Sequence, residues 1–107
     1  MNIFTGDQPL EIGDNVNVAG NISISAGSLS IGSKLTSTGG DINISTINDI
    51  SMSSTSQIIT SDGSIFLTSE LGNINISSLN ALNQASVNPS IGNITNSIAD
   101  YVSDDDT

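Results

Sequence analysis

The side chains able to do chemistry in this 107-residue chain are few. There is no histidine and no cysteine. Nucleophile–base pairs that depend on imidazole or thiolate are therefore excluded, and so are the usual zinc sites. Carboxylates remain, and a pair of them can do acid–base work on a glycosidic bond. The central region offers Asp41, Asp49, Asp62 and Glu70. Asp41 follows Gly40 and Asp62 precedes Gly63, which is where turn chemistry alone places an aspartate. The expectation is that no residue is catalytic, that no cofactor is bound, and that the protein is not an enzyme.

Three other patterns could carry function. Asp104, Asp105 and Asp106 could offer oxygens to a calcium ion. They lack interleaved glycines, however, and only Gly39-Gly40-Asp41 faintly echoes the GGxGxD repeat of calcium-binding β-rolls, so the run reads as a solvated acidic tail with no metal site. Ice binding would need ranks of Thr-x-Thr, and only Thr36-Ser37-Thr38 has that form. Asn-x-Ser/Thr occurs at Asn21, Asn43, Asn75 and Asn93, which follows from the alternation of Asn, Ile and Ser and carries no functional weight.

The elements that would hold these side chains are written in a recurring phrase. "GNISIS" at 20–25 returns as "GDINIS" at 40–45 and "GNINIS" at 72–77. Isoleucines two apart alternate with Ser or Asn, the period of a strand with one buried face. The preceding Gly is expected to turn the chain with positive φ, and the Asn or Asp after it suits a turn. With aromatics limited to Phe4, Phe66 and Tyr101, the core must be built from 17 Ile and 7 Leu in a narrow, regular space.

Three strands to a coil bring the phrases into alignment. Ile22, Ile42 and Ile65 are spaced by 20 and 23 residues, and Leu29, Ile50 and Ile74 by 21 and 24. Periods of this size indicate a solenoid, in which each repeat buries its apolar face against the next. The expected fold is all-β: a parallel β-helix of about three to four three-sided coils. Ile22, Ile42 and Ile65 form an inner ladder beside Ile24, Ile44 and Leu67, while Ser23, Asn43 and Phe66 face outward. An antiparallel sandwich of the same strands is the competing fold, but its hairpins want Asn-Gly or Asp-Gly loops, and Asp62-Gly63 is the only such pair.

Beyond Ser90 the pattern changes. Ile91, Ile94, Ile98 and Tyr101 recur at three and four residues, with Pro89 before them and Ser90 placed as N-cap, which predicts a helix capping or oligomerising the solenoid. The organisation expected is a lead-in over 1–12, a solenoid over 13–88 with "NVNVA" closing an incomplete first coil, the helix over 89–102, and an acidic tail over 103–107.

Formal net charge is −10, with four of the eleven acids at or beyond Asp100 and a single Lys34 as the basic residue. That composition argues against nucleic-acid binding through phosphates. No apolar run reaches the length of a membrane span, and the first residues, "MNIFTGDQPLEIGD", do not read as a signal peptide.

The alternation "GNISISAGSLSIGS…GGDINIS…GSIFLTSELGNINIS" resembles the filamentous-haemagglutinin repeats of two-partner-secreted bacterial adhesins, over residues 13–82. That resemblance implies a right-handed parallel β-helix and a non-enzymatic stalk or adhesive surface. The family's great length and N-terminal secretion domain have no counterpart in these residues. A weaker similarity is to bactofilins, small cytoplasmic β-helices that polymerise end to end, and phage fibre proteins converge on such repeats. The expected function is a structural subunit that associates with itself into a fibre, filament or virion-like appendage. Alternatives are an adhesin fragment binding glycan or a cell surface, and a bactofilin-like polymer; outward-facing Phe66 is the expected contact for a partner, whether glycan or another structural protein, or for a neighbouring subunit. An extracellular fibre or virion surface is the expected location, or the cytoplasm on the bactofilin reading.

Overall fold

A computed structural model describes residues 1–81, 85–90, 92 and 94–101. Every strand pairing in it is parallel, and no helix occurs among the described residues. The fold is a β-solenoid of about four turns. An antiparallel sandwich is thereby excluded.

The first coil is made of β1 (Asn2–Phe4), β2 (Pro9–Ile12) and β3 (Val16–Val18). The second contains β4 (Ile22–Ala26), β5 (Ser28–Ile31) and β6 (Lys34–Ser37), and the third β7 (Ile42–Thr46), β8 (Ile50–Met52) and β9 (Gln57–Thr60). In the next coil β10 (Ile65–Ser69) is followed by a long β11 (Ile74–Ala81), which pairs with β8 through its start and with β9 through its end. β12 (Ala85–Pro89) and β13 (Ile94–Tyr101) continue the stack on β10 and β11. The first face is the sheet β1-β4-β7-β10-β12; the other two are joined into one sheet through β11.

Register follows from period-two burial. Ile22 pairs with Ile42 and Ile42 with Ile65, while Ile3, Ile24, Ile44 and Leu67 pair in succession. Leu10, Leu29, Ile50 and Ile74 make the second ladder, and Val16, Leu35, Ile58 and Leu79 the third. From Ile22 to Leu79 these side chains are almost wholly removed from water, each burial contributing about 1.5–3 kcal/mol. A one-residue slip would turn every isoleucine outward, so the ladder itself fixes the alignment of the coils.

Variation in coil length is absorbed at corners. Between paired positions, Ala26 to Leu29 spans three residues, Thr46 to Ile50 four and Ser69 to Ile74 five. The β5–β6 connection has two residues, Gly32 and Ser33, whereas β8 and β9 are joined by the turn Ser53–Ser56, closed by a Ser56 N–H bond to the Ser53 carbonyl at 3.1 Å.

Three expectations need correction. Residues 1–12 are not a lead-in: β1 and β2 complete the coil that β3 closes. The segment Ile94–Tyr101, with Ile94, Ile98 and Tyr101, runs as a strand on β11 and not as a helix; Ile91 and the tail 102–107 lie outside the described residues. The six residues from Ile74 to Leu79 are matched by eight from Ile94 to Tyr101, with the irregularity between Ile76 and Ser78. Across this irregularity Ile94, Ile98 and Tyr101 stand four and three residues apart, a spacing that mimics a helix. Finally, among the described residues positive φ is found only at Gly6, at 71°. The glycines of the repeated phrase serve a different purpose, close stacking of corners.

Candidate functional site

Two of the four carboxylates that could have formed a catalytic pair, Asp41 and Asp49, are fastened into these corners. Asp41, just before β7, accepts the Ser64 N–H of the next coil through Oδ1 at 2.9 Å, and its own N–H donates to Asn21 Oδ1 of the coil beneath at 2.9 Å. Asp49, just before β8, accepts the Asn73 N–H at 2.8 Å, and Asn15 Oδ1 does the same for Lys34 N–H at 3.0 Å. An Asx side chain at a corner thus holds a backbone donor one coil along, where the strand ladder has not yet begun. Either Asn or Asp can do this, since each carries the accepting oxygen.

Glycine beside the Asx residue is required by the same stacking. A Cβ on Gly40 would strike the Asn21 side chain and lie 2.7 Å from the Asn21 backbone nitrogen; one on Gly63 would strike the Gly40 carbonyl and lie 2.6 Å from Asp41 Oδ1. Gly72 stands in the same relation to Asp49. Gly20, at the start of the column, has nothing near its would-be Cβ.

Inside the corners, buried hydroxyls satisfy the backbone. Ser37 Oγ donates to the Gly20 carbonyl at 2.7 Å and accepts Gly40 N–H at 3.0 Å; Thr60 Oγ1 donates to the Gly40 carbonyl at 2.6 Å. Ser69 Oγ donates to the Asn48 carbonyl at 2.6 Å and accepts Gly72 N–H at 3.0 Å. Among the described residues no buried side-chain polar atom lacks a partner.

Asp62 and Glu70 are exposed. Asp62 lies one coil beyond Asp41 at the same corner, and Glu70 one coil beyond Asp49 at another, so the four acids do not converge. The fold instead brings Glu11 and Asp49 to one groove on the second face, lined also by Pro9, Leu10, Ser28 and Ser51. They are 38 positions apart in the chain, and only coil alignment reveals their proximity. Both are exposed, whereas glycoside-cleaving pairs work with one carboxyl in an apolar, water-poor setting. Among the described residues no cluster of three or more acids could hold a metal ion, and no helix is long and apolar enough to cross a membrane.

Phe66 projects from the first face in a column with Asn2, Ser23, Asn43 and Ser86, and is half-buried. The second outward column holds Phe4, Ser25, Ser45, Thr68 and Asn88. Neither column contains a charge. Phe4 is 80% exposed, the most exposed large apolar side chain among the described residues. Sequence reading passed over it because β1 lacks the Gly-Asx-Ile phrase.

Comparison of the chain with protein-family profiles, curated proteins and solved structures finds no match.

Proposed function

We propose that this protein is a non-enzymatic structural subunit that associates with itself, through the end of its solenoid, into a fibre, filament or virion-like appendage. The observation that carries this reading is the open first coil. β1, β2 and β3 are each the terminal strand of their sheet order, so among the described residues no strand pairs with their outer edges. The three ladders stop there with Ile3, Leu10, Val16 and Val18 only partly buried. An edge of unpaired N–H and C=O groups over an unfinished apolar core is a template for another β-coil. Engagement of the corner carboxylates in backbone bonds supports a structural reading of the acids, and the resemblance to haemagglutinin repeats favours an appendage over a cytoskeletal polymer.

Electron microscopy of the pure protein across concentration provides the test. Elongated particles that lengthen with concentration are expected. Particles of one-subunit size throughout would overturn the proposal.

A further inference from the structure

A second concave feature runs along the corner between the first and second faces, crossing the coils from Phe4 and Gly6, past Ser25, Ser45 and Thr68, to Glu70 and Ser90. Its wall is the outward column of the first sheet, in which Phe4, Ser25, Ser45 and Thr68 are successive register partners. Side-chain hydroxyls therefore recur along the groove at about the 4.8 Å strand spacing, with an exposed ring at one end and a carboxylate near the other.

We infer that this groove binds a neutral, linear oligosaccharide lying along the solenoid axis, with a sugar ring stacked on Phe4 and sugar hydroxyls bonded to Ser25, Ser45, Thr68 and Glu70. The backbone of the corner is already committed. Thr5 N–H bonds to the Ser25 carbonyl, Ile47 N–H to that of Ala26, Glu70 N–H to that of Thr46 and Ser90 N–H to that of Ser69. A peptide strand would need free backbone donors and acceptors and finds few here. Recognition falls to hydroxyls, which both donate and accept, and these complement a polyhydroxylated chain. Charge narrows the ligand further. The lining has no cation to hold phosphate or sulfate and only Glu70 as an anion, in a molecule whose formal charge is −10. An acidic polymer would be repelled, whereas a neutral glycan meets no such penalty. The exposed Phe4 ring supplies the apolar platform that the C–H face of a pyranose covers. Most of this site, Ser25, Ser45, Thr68 and Glu70, lies along the side of the stack, and only Phe4 and Gly6 belong to the coil proposed to associate.

The test is titration of the isotope-labelled protein with cellohexaose, chitohexaose and maltohexaose at millimolar concentration, followed by amide NMR. At least one sugar is expected to shift the amides of Phe4, Gly6, Ser25, Ser45 and Thr68 together. Phe4→Ala should weaken that binding about tenfold, while Phe4→Tyr keeps it. The circular dichroism of both variants should match the parent's, because the ring is exposed. Absence of shifts with all three sugars, shifts confined elsewhere, or undiminished binding by Phe4→Ala would overturn the inference. So would concentration-dependent shifts without sugar at Ser45 and Thr68, which lie away from the first coil; these would assign the groove to a second copy of the chain.

Discussion

Asp41 shows why residue type alone misleads about chemistry in this chain. An exposed carboxylate beside glycine could be a catalytic acid or a turn former, and the hydrogen bond to Ser64 N–H shows what its oxygen does. Because Asn21 has the same role in the preceding coil, Asp41→Asn should leave the melting temperature nearly unchanged. Asp41→Ala removes the acceptor and should lower it by a few degrees. Equal effects of the two substitutions, read by thermal melts, would contradict the assignment. Glycine has its own matched pair. Gly63→Ala drives a methyl into the neighbouring coil and should cost about 1–3 kcal/mol, while Gly20→Ala meets open space and should stay within about 0.5 kcal/mol. Ladder residues are more sensitive still. Ile44→Asp buries an unpaired charge between Ile24 and Leu67 and should unfold the domain or cost several kcal/mol, whereas outward-facing Asn43→Asp should be tolerated. Circular dichroism with denaturant titration distinguishes the outcomes.

At the scale of elements, the alternation of isoleucine with small polar residues made β4, β7, β10 and the start of β11 legible, because period two and a repeat near 20 residues agree there. Two kinds of element escaped. β1 and β2, "NIF" and "PLEI", are not introduced by the glycine and Asx of the phrase, so no repeat marked them. β13 was obscured because Ile94, Ile98 and Tyr101 stand four and three residues apart across its irregular pairing with β11, a spacing that reads as a helix. The corner bonds were illegible for another reason: they join residues 20 to 24 positions apart, and only a fixed coil alignment shows which partners meet. That alignment can be tested covalently, since the chain has no cysteine of its own. Ser23 and Asn43 are register partners, so cysteines placed at both lie within the span of a disulfide. Oxidation should join them, and a pair at Ser23 and Phe66, two coils apart, should stay reduced. Mass spectrometry of the oxidised proteins reads the result; a bond in the second pair and not the first would refute the register.

At the scale of the molecule, the described residues form a stack whose first coil has unpaired outer strand edges, and charge bears on what those edges can do. Asp7, Glu11 and Asp14 all lie on the first coil or in its connections, and acidic side chains beside an open edge oppose the approach of another negatively charged subunit. Salt screens that repulsion, the Debye length falling from about 30 Å at 0.01 M to about 3 Å at 1 M, while the apolar contact of Ile3, Leu10, Val16 and Val18 is not weakened. Association through the first coil should therefore strengthen as salt is raised. Val18→Lys places a charge beside the third ladder, where Val18 is partly buried and pairs with Ser37 at the margin of the coil, and should block association while leaving the fold intact. Sedimentation velocity of the parent and Val18→Lys proteins at low and high salt tests this most directly. The account predicts monomer at low salt, growing assemblies of the parent at high salt and concentration, and a Val18→Lys protein that stays monomeric; a parent that is monomeric under every condition, or a Val18→Lys protein that assembles equally well, would contradict it.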